Sequence, residues 1–149
     1  MMLSKLSKIL SKNDTGETHS HQSGISIPKA IANTDIFPHL GTDKLNPRTS
    51  LTFEDEEKNI WTFQYIYYND VYFGKERNKA HNEYRLTCVK DYIAHNSIVA
   101  GDIIWFGVED NGNRRIGFVK SEKQEHYEKD EEGNIVINIK KGGWHYVKY

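Results

Sequence analysis

The sequence contains a single cysteine, Cys88, so neither an internal disulfide nor a zinc site built on several cysteines is possible. A reduced intracellular setting is the expectation that follows. No stretch approaches the roughly 20 apolar residues that a membrane span requires. The opening Met-Met-Leu-Ser-Lys-Leu run has no apolar core of signal-peptide length, which predicts a soluble chain. There is no internal repeat and no linker rich in Pro, Gly or Ser, so residues 1–149 read as one domain. Strong charge of one sign is also missing. The formal net charge is −1, which argues against a protein that lives by indiscriminate phosphate attraction.

What charge there is lies unevenly. Residues 1–12 hold Lys5, Lys8 and Lys12 with no acid, whereas residues 109–133 hold eight acids against five bases. A basic face opposite an acidic back suits a partner that is selected and not merely attracted. Apolar content is a modest 37%, but aromatics make up 12%, enough to build a substantial core.

Leu3, Leu6, Ile9 and Leu10 recur at helical spacing and predict a short amphipathic helix over 2–11, packed on its own domain. A polar loop over 13–23 follows, then a short strand over 24–27 and a helix from Pro28 to about Asp35. From Arg48 the period becomes two. Leu51 and Phe53 alternate with polar residues, a charged hairpin spans 54–59, and residues 60–68 form a long aromatic strand. Further strands are expected at 84–88, 102–108, 116–119, 134–139 and 144–149, with a short helix over 89–96 and a tight turn at Asn111-Gly112. Residues 122–132 read as a solvated surface loop. The expected fold is mainly β: a seven- to eight-stranded open antiparallel barrel with two or three short helices, closed to hide its edges.

Between the strands at 60–68 and 84–88 lies a long polar excursion. Within residues 75–85, Lys75, Arg77, Lys79 and Arg85 stand against Glu76 and Glu83, with Asn78, His81 and Asn82 between them. A solvated hairpin needs neither this length nor this set of planar donors. Arginine and lysine pair with guanine O6 and N7, asparagine and glutamine with adenine N6 and N7. The segment therefore reads as a DNA-reading loop.

Three segments carry a family resemblance. The first is Asn13-Asp14-Thr15-Gly16 with His21-Gln22-Ser23-Gly24-Ile25 and Ile27-Pro28. The second is Tyr67-Tyr68-Asn69 with Phe73-Gly74-Lys75-Glu76-Arg77-Asn78. The third is Arg85-Leu86-Thr87 leading to Gly101-Asp102-Ile103 and Trp105-Phe106. Over residues 10–120 they resemble the N-terminal effector domain of EcoRII-type restriction endonucleases and, more distantly, the plant B-three DNA-binding domain. The resemblance implies a pseudobarrel that grips the major groove of double-stranded DNA with two arms, here about 12–24 and 69–82. It implies base reading by His21, Gln22, Lys75, Arg77, Asn78, Lys79 and His81. By their own chemistry Lys5, Lys8, Lys12, Thr15 and Arg85 are expected to contact the sugar-phosphate backbone and set register. The implied site is GC-rich and related to CC(A/T)GG, shifted because Lys79, Ala80 and His81 replace an acidic residue, a lysine and an arginine of that family.

Other features point to plainer roles. His19 and His21 lack a third ligand nearby for a metal. Cys88 reads as a small buried hydrophobe, and Trp61, Trp105 and Trp144 as core residues on strands. Glu56-Glu57-Lys58 and Ser121-Glu122-Lys123 have acid and lysine close together but lie in charge-dense hairpins, so the chain is expected to cut nothing by itself. A monomeric, non-catalytic domain of a type II restriction endonuclease in a bacterial cytoplasm is the reading that results. It needs no cofactor, and Mg²⁺ is expected only for a linked or separate nuclease domain. A stand-alone regulator of the plant type and a complete small Mg²⁺-dependent nuclease are the alternatives.

Overall fold

The computed structural model describes residues 1–18, 24–41, 43–69, 83–121, 135–139 and 143–149, with the backbone alone for 135–139. The arm segments 19–23 and 70–82 and the charged stretch 122–134 lie outside the described residues.

Nine strands, β1 (Met2–Ile9), β2 (Ile25–Ile27), β3 (Arg48–Glu54), β4 (Ile60–Tyr68), β5 (Glu83–Thr87), β6 (Ile103–Glu109), β7 (Arg114–Val119), β8 (Ile135–Ile139) and β9 (Trp144–Lys148), form a single sheet. Its order is β2-β5-β4-β3-β7-β6-β1-β9-β8, and every pairing is antiparallel except β3 with β7. That parallel contact rests on one register pair, Glu54 opposite Arg115, and joins the two antiparallel halves. The ion pair Arg115–Glu54, at 3.6 Å, lies on the same seam. Three short helices, α1 (Lys12–Thr15), α2 (Lys29–Ala32) and α3 (Lys90–His95), accompany the sheet.

The sheet curls into an open half-barrel around one aromatic core. Phe53 of β3 meets Phe106 of β6 at 5.4 Å between ring centroids, although β7 separates the two strands in the sheet. Phe37, from the segment after α2, stacks on Tyr65 of β4 at 4.8 Å and touches Phe106 at 6.3 Å, so it bridges the halves from inside. Burial of such rings supplies the main driving force, and offset or tilted contacts add specificity of shape. On the outer surface the Trp105 ring lies across Gly117 of β7, where a Cβ would stand 2.3 Å from the indole. Glycine is required there by space.

The eight strands expected from the sequence are all present, and the ninth corrects the expected N-terminal helix. Residues 2–9 are a strand between β6 and β9, in register as Leu6 opposite Phe106 and Tyr146. Its inward face carries Ser4, Leu6 and Lys8, all buried, while Leu3 and Ile9 point outward at 40% and 41% exposure. Apolar residues drawn from two faces of a strand mimicked one face of a helix. The two inward polar groups are satisfied: Ser4 Oγ donates to Asp35 Oδ1 at 2.6 Å, and Lys8 Nζ to Asp14 Oδ2 at 2.5 Å.

Two smaller corrections concern helices. The expected polar loop after residue 12 begins with α1, closed by a reciprocal capping box between Ser11 and Asp14. The helix expected to run to Asp35 stops at Ala32, because Thr34 turns back and both its N–H and its Oγ1 donate to the Ile31 carbonyl. Cys88 is also corrected. It is exposed, at φ +66°, in the turn after β5 where its side chain cannot reach the core. Trp144 lies in the core as expected; Trp105 is little exposed but sits on the outer face, outside the core cluster, which corrects its expected core place; and Trp61 is half-buried, edge-on to Tyr92, with Nε1 donating to Asp55 Oδ2. Glu56, Glu57 and Lys58 are exposed on their hairpin.

Candidate nucleic-acid interface

The first arm segment leads into β2 and the second into its sheet neighbour, strand β5. It pairs with β2 on one side, Ile25 opposite Leu86 and Ile27 opposite Tyr84, and with β4 on the other, Tyr67 opposite Tyr84. The chain re-enters the sheet at Gly24 after the first arm and at Glu83 after the second. Because β2 and β5 are antiparallel, these two points lie at opposite ends of β5. Four residue steps at about 3.3 Å each put them roughly 13 Å apart along the strand.

Each root is pinned by buried polar groups. Asn69 is fully buried where β4 leads into the second arm. Its Oδ1 accepts from the Asn46 N–H at 2.7 Å, and its Nδ2 donates to the Lys44 carbonyl at 2.7 Å. Its own N–H donates to Asn46 Oδ1 at 3.1 Å, so the two asparagines clamp each other. At the far side of that arm, Arg85 reaches Glu83 Oε1 at 2.6 Å and the Gly24 carbonyl at 3.1 Å. Gly24 has φ +85°, and a Cβ there would stand 2.3 Å from the Leu86 carbonyl oxygen. Only glycine lets the first arm's exit lie so close against β5.

The first arm's entry is equally organised. Gly16 closes α1 in the left-handed conformation, and the Glu17 N–H donates to the Lys12 carbonyl at 2.9 Å. The Glu17 carboxylate accepts from Thr15 Oγ1 and, at 2.8 Å, from the Ala100 N–H. The Thr15 hydroxyl first and the Ala100 amide second hold its pKa below the usual glutamate value. Beneath that turn Asp102 is fully buried. Burial alone would raise its pKa, but Lys120 Nζ at 2.6 Å and the Val99 and Ser121 N–H groups, each at 2.9 Å, lower it overall. Beneath the sheet between the roots, Tyr67, Tyr84 and Tyr65 form a stack with spacings of 4.3 and 5.7 Å. Burial raises the Tyr84 pKa.

The expected base readers His21, Gln22, Lys75, Arg77, Asn78, Lys79 and His81 lie outside the described residues. Of the expected backbone contacts, Lys12 is exposed on α1 and Thr15 is half-buried beside it, both on the first arm. Lys5 lies on the outer face of β1, its ammonium 4.7 Å from the centre of the Trp105 ring, and β4, β3, β7 and β6 separate it from β5 in the sheet. Lys8 and Arg85 are corrected. Their side chains are 9% exposed, and their charges are committed to Asp14 and Glu83 respectively, so neither presents a free cation to a phosphate. Sequence reasoning missed Asn69, Glu17 and Asp14 as root-building residues. Only Asp14 carried a local signal, the Ser11-x-x-Asp14 spacing. Among the described residues, no group of three or more His, Cys, Asp or Glu side chains is placed to hold a metal ion. No described helix is long and apolar enough to cross a membrane.

Comparison with known proteins fits this geometry. The profile of the family described as restriction endonuclease EcoRII, N-terminal, matches residues 3–91, more than half of the chain. The chain belongs to the EcoRII N-terminal domain family. The type II restriction enzyme EcoRII of Escherichia coli is 41% identical over 80 residues, a stretch covering 48% of this chain and 18% of that enzyme. The match thus spans under a fifth of the relative's length. A solved Arabidopsis FUS3–DNA complex shares the fold, with a TM-score of 0.59 at 22% identity over 81% of this chain and 99% of that one. For this EcoRII-N member, matched residues 3–91 include α1, both arm segments, Asn69 and Arg85.

Proposed function

We infer that this chain binds double-stranded DNA sequence-specifically, as the effector or specificity domain of a type II restriction endonuclease. The observation that supports the reading is that Gly24 and Glu83, the described residues after two polar segments, stand at opposite ends of one strand in an EcoRII-N domain. These roots, roughly 13 Å apart, match a major groove about 12 Å wide. Lys75 and Arg77 pair with guanine edges, and Asn78 and Gln22 with adenine edges, while His21, Lys79 and His81 complete the reading set. Lys12 and Thr15 contact the sugar-phosphate backbone and set register without carrying sequence information. The pinned roots belong to a rigid sheet, and binding residues are commonly carried on the segments such a sheet positions.

The DNA-bound state of the fold neighbour and the restriction-enzyme identity of the relative both favour this reading. The domain cuts nothing alone and takes no cofactor. The nuclease centre, with its Mg²⁺, lies on another domain or polypeptide in the same bacterial cytoplasm. The domain acts as a monomer on a GC-rich site related to CC(A/T)GG.

Selection of bound duplexes from a random pool tests the specificity and delivers the site together. Enrichment of one GC-rich motif, bound at least about 10³-fold more tightly than scrambled duplex, is expected. A pool that emerges unenriched contradicts the inference, and Mg²⁺-dependent cleavage of the selected duplex by the chain alone contradicts its non-catalytic part.

A further inference from the structure

We propose that Arg85 is a positioning residue that couples the two arms, so that seating one in the groove preorganises the other. The proposal rests on the DNA-binding reading above. Glu83 is the first described residue after the second arm, and Gly24 is the first after the first arm. One guanidinium holds both: Nη1 lies 2.6 Å from Glu83 Oε1 and Nη2 lies 3.1 Å from the Gly24 carbonyl.

The surroundings make that tie stiff. Glu83 and Arg85 stand two residues apart on one face of β5, so their side chains are natural neighbours. Arg85 sits opposite Ser26 on β2 and Ile66 on β4, and Ile66 is 3% exposed. With 9% of its own side chain exposed, the guanidinium has little freedom to turn away from either partner. Gly24 lies against Leu86 with no room for a Cβ, so its carbonyl cannot slide further toward β5. A planar fork with fixed donor directions transmits a displacement of the Gly24 carbonyl into a displacement of the Glu83 carboxylate. A lysine ammonium, a point charge on a flexible stem, satisfies one partner or the other and does not fix their separation.

Coupling of this kind appears as non-additivity between the arms. The test is a double-mutant cycle of Gln22→Ala in the first arm and Arg77→Ala in the second, read as duplex Kd on the selected site. It is measured in three backgrounds: wild type, Arg85→Lys and the milder Glu83→Gln, whose site is about one-third exposed. In the wild-type background the paired loss should depart from the product of the single losses by about 3- to 10-fold. Arg85→Lys and Glu83→Gln should bring that factor to about one, whatever they do to overall affinity. A merely structural role would weaken all four corners of the cycle alike and leave the factor unchanged. Additive arms in the wild type, or a factor that survives both root variants, overturns the coupling while leaving DNA binding intact. Should Arg85→Lys fail to fold, Glu83→Gln alone decides the matter. A wild-type protein that binds no duplex overturns the coupling and the functional reading together.

Discussion

Replacing Asn69 with alanine removes two side-chain hydrogen bonds from a fully buried position, those to the Asn46 N–H and to the Lys44 carbonyl, both 2.7 Å long. The third contact of the clamp uses the Asn69 backbone N–H and survives the change. The stranded partners are main-chain groups on the 43–47 turn. Asn46 there is already held at φ +48°. An unsatisfied, partly buried backbone group costs about 1–3 kcal/mol, so two imply a loss of roughly 2–6 kcal/mol. That is a large share of the roughly 5–15 kcal/mol by which a domain of this size is stable. Asn69→Asp discriminates the cause. It keeps the acceptor for Asn46 but sets a carboxylate oxygen against the Lys44 carbonyl, so it should be at least as damaging as alanine despite its closer shape. Urea unfolding of the three proteins, with the slope checked for constancy, gives the comparison. A loss below about 0.5 kcal/mol for Asn69→Ala would refute the clamp as the anchor of the second arm.

Lys8→Met leaves Asp14 buried without its cation and should cost about 3–5 kcal/mol in the same assay, while adding Asp14→Asn should recover much of the loss. A cost under about 1 kcal/mol would show the pair to be solvated. Asp102 has its pKa lowered in the folded state, so its contribution is complete above the ordinary aspartate value of about 3.9 and is lost as pH falls through the folded value. Asp102→Asn should therefore lower stability at neutral pH and flatten the acid limb of the stability–pH curve below about pH 4, and an unchanged acid limb contradicts the assignment. Arg77→Ala should cost about 1–3 kcal/mol on the selected duplex and relax base choice at one position. Lys12→Ala should weaken all duplexes alike and reduce the salt slope by about 0.9. Equal weakening of selected and scrambled duplexes by Arg77→Ala would end its role as a reader.

Much of the sheet was legible because its strands obey simple rules. Phe63, Tyr65 and Tyr67 alternate on β4, and the β6–β7 hairpin turns where Asn111-Gly112 predicts it. Strand β1 was illegible for a physical reason. Its inward face spends two positions on Ser4 and Lys8, whose partners Asp35 and Asp14 become neighbours only in the folded chain, while Leu3 and Ile9 face outward. Composition singles out Lys75, Arg77 and Asn78 as expected readers between two apolar strands, but these residues lie outside the described ones. The roots carried no such signal. Asn46 and Asn69 stand 23 residues apart, and Arg85 meets Gly24 across 61, so no local pattern announces either contact. The same distance explains why Arg85 looked like a phosphate contact: hydropathy does not separate a buried arginine in a tie from an exposed one on a face.

The most direct measurement is an NMR titration of the isotopically labelled chain with the selected duplex. The account predicts amide shifts concentrated in residues 12–24 and 69–82 and at their roots, Gly24, Asn69 and Glu83, with β8 and the outer faces of β6 and β7 unmoved. Shifts centred on those outer faces, with both arms silent at saturating duplex, would contradict it.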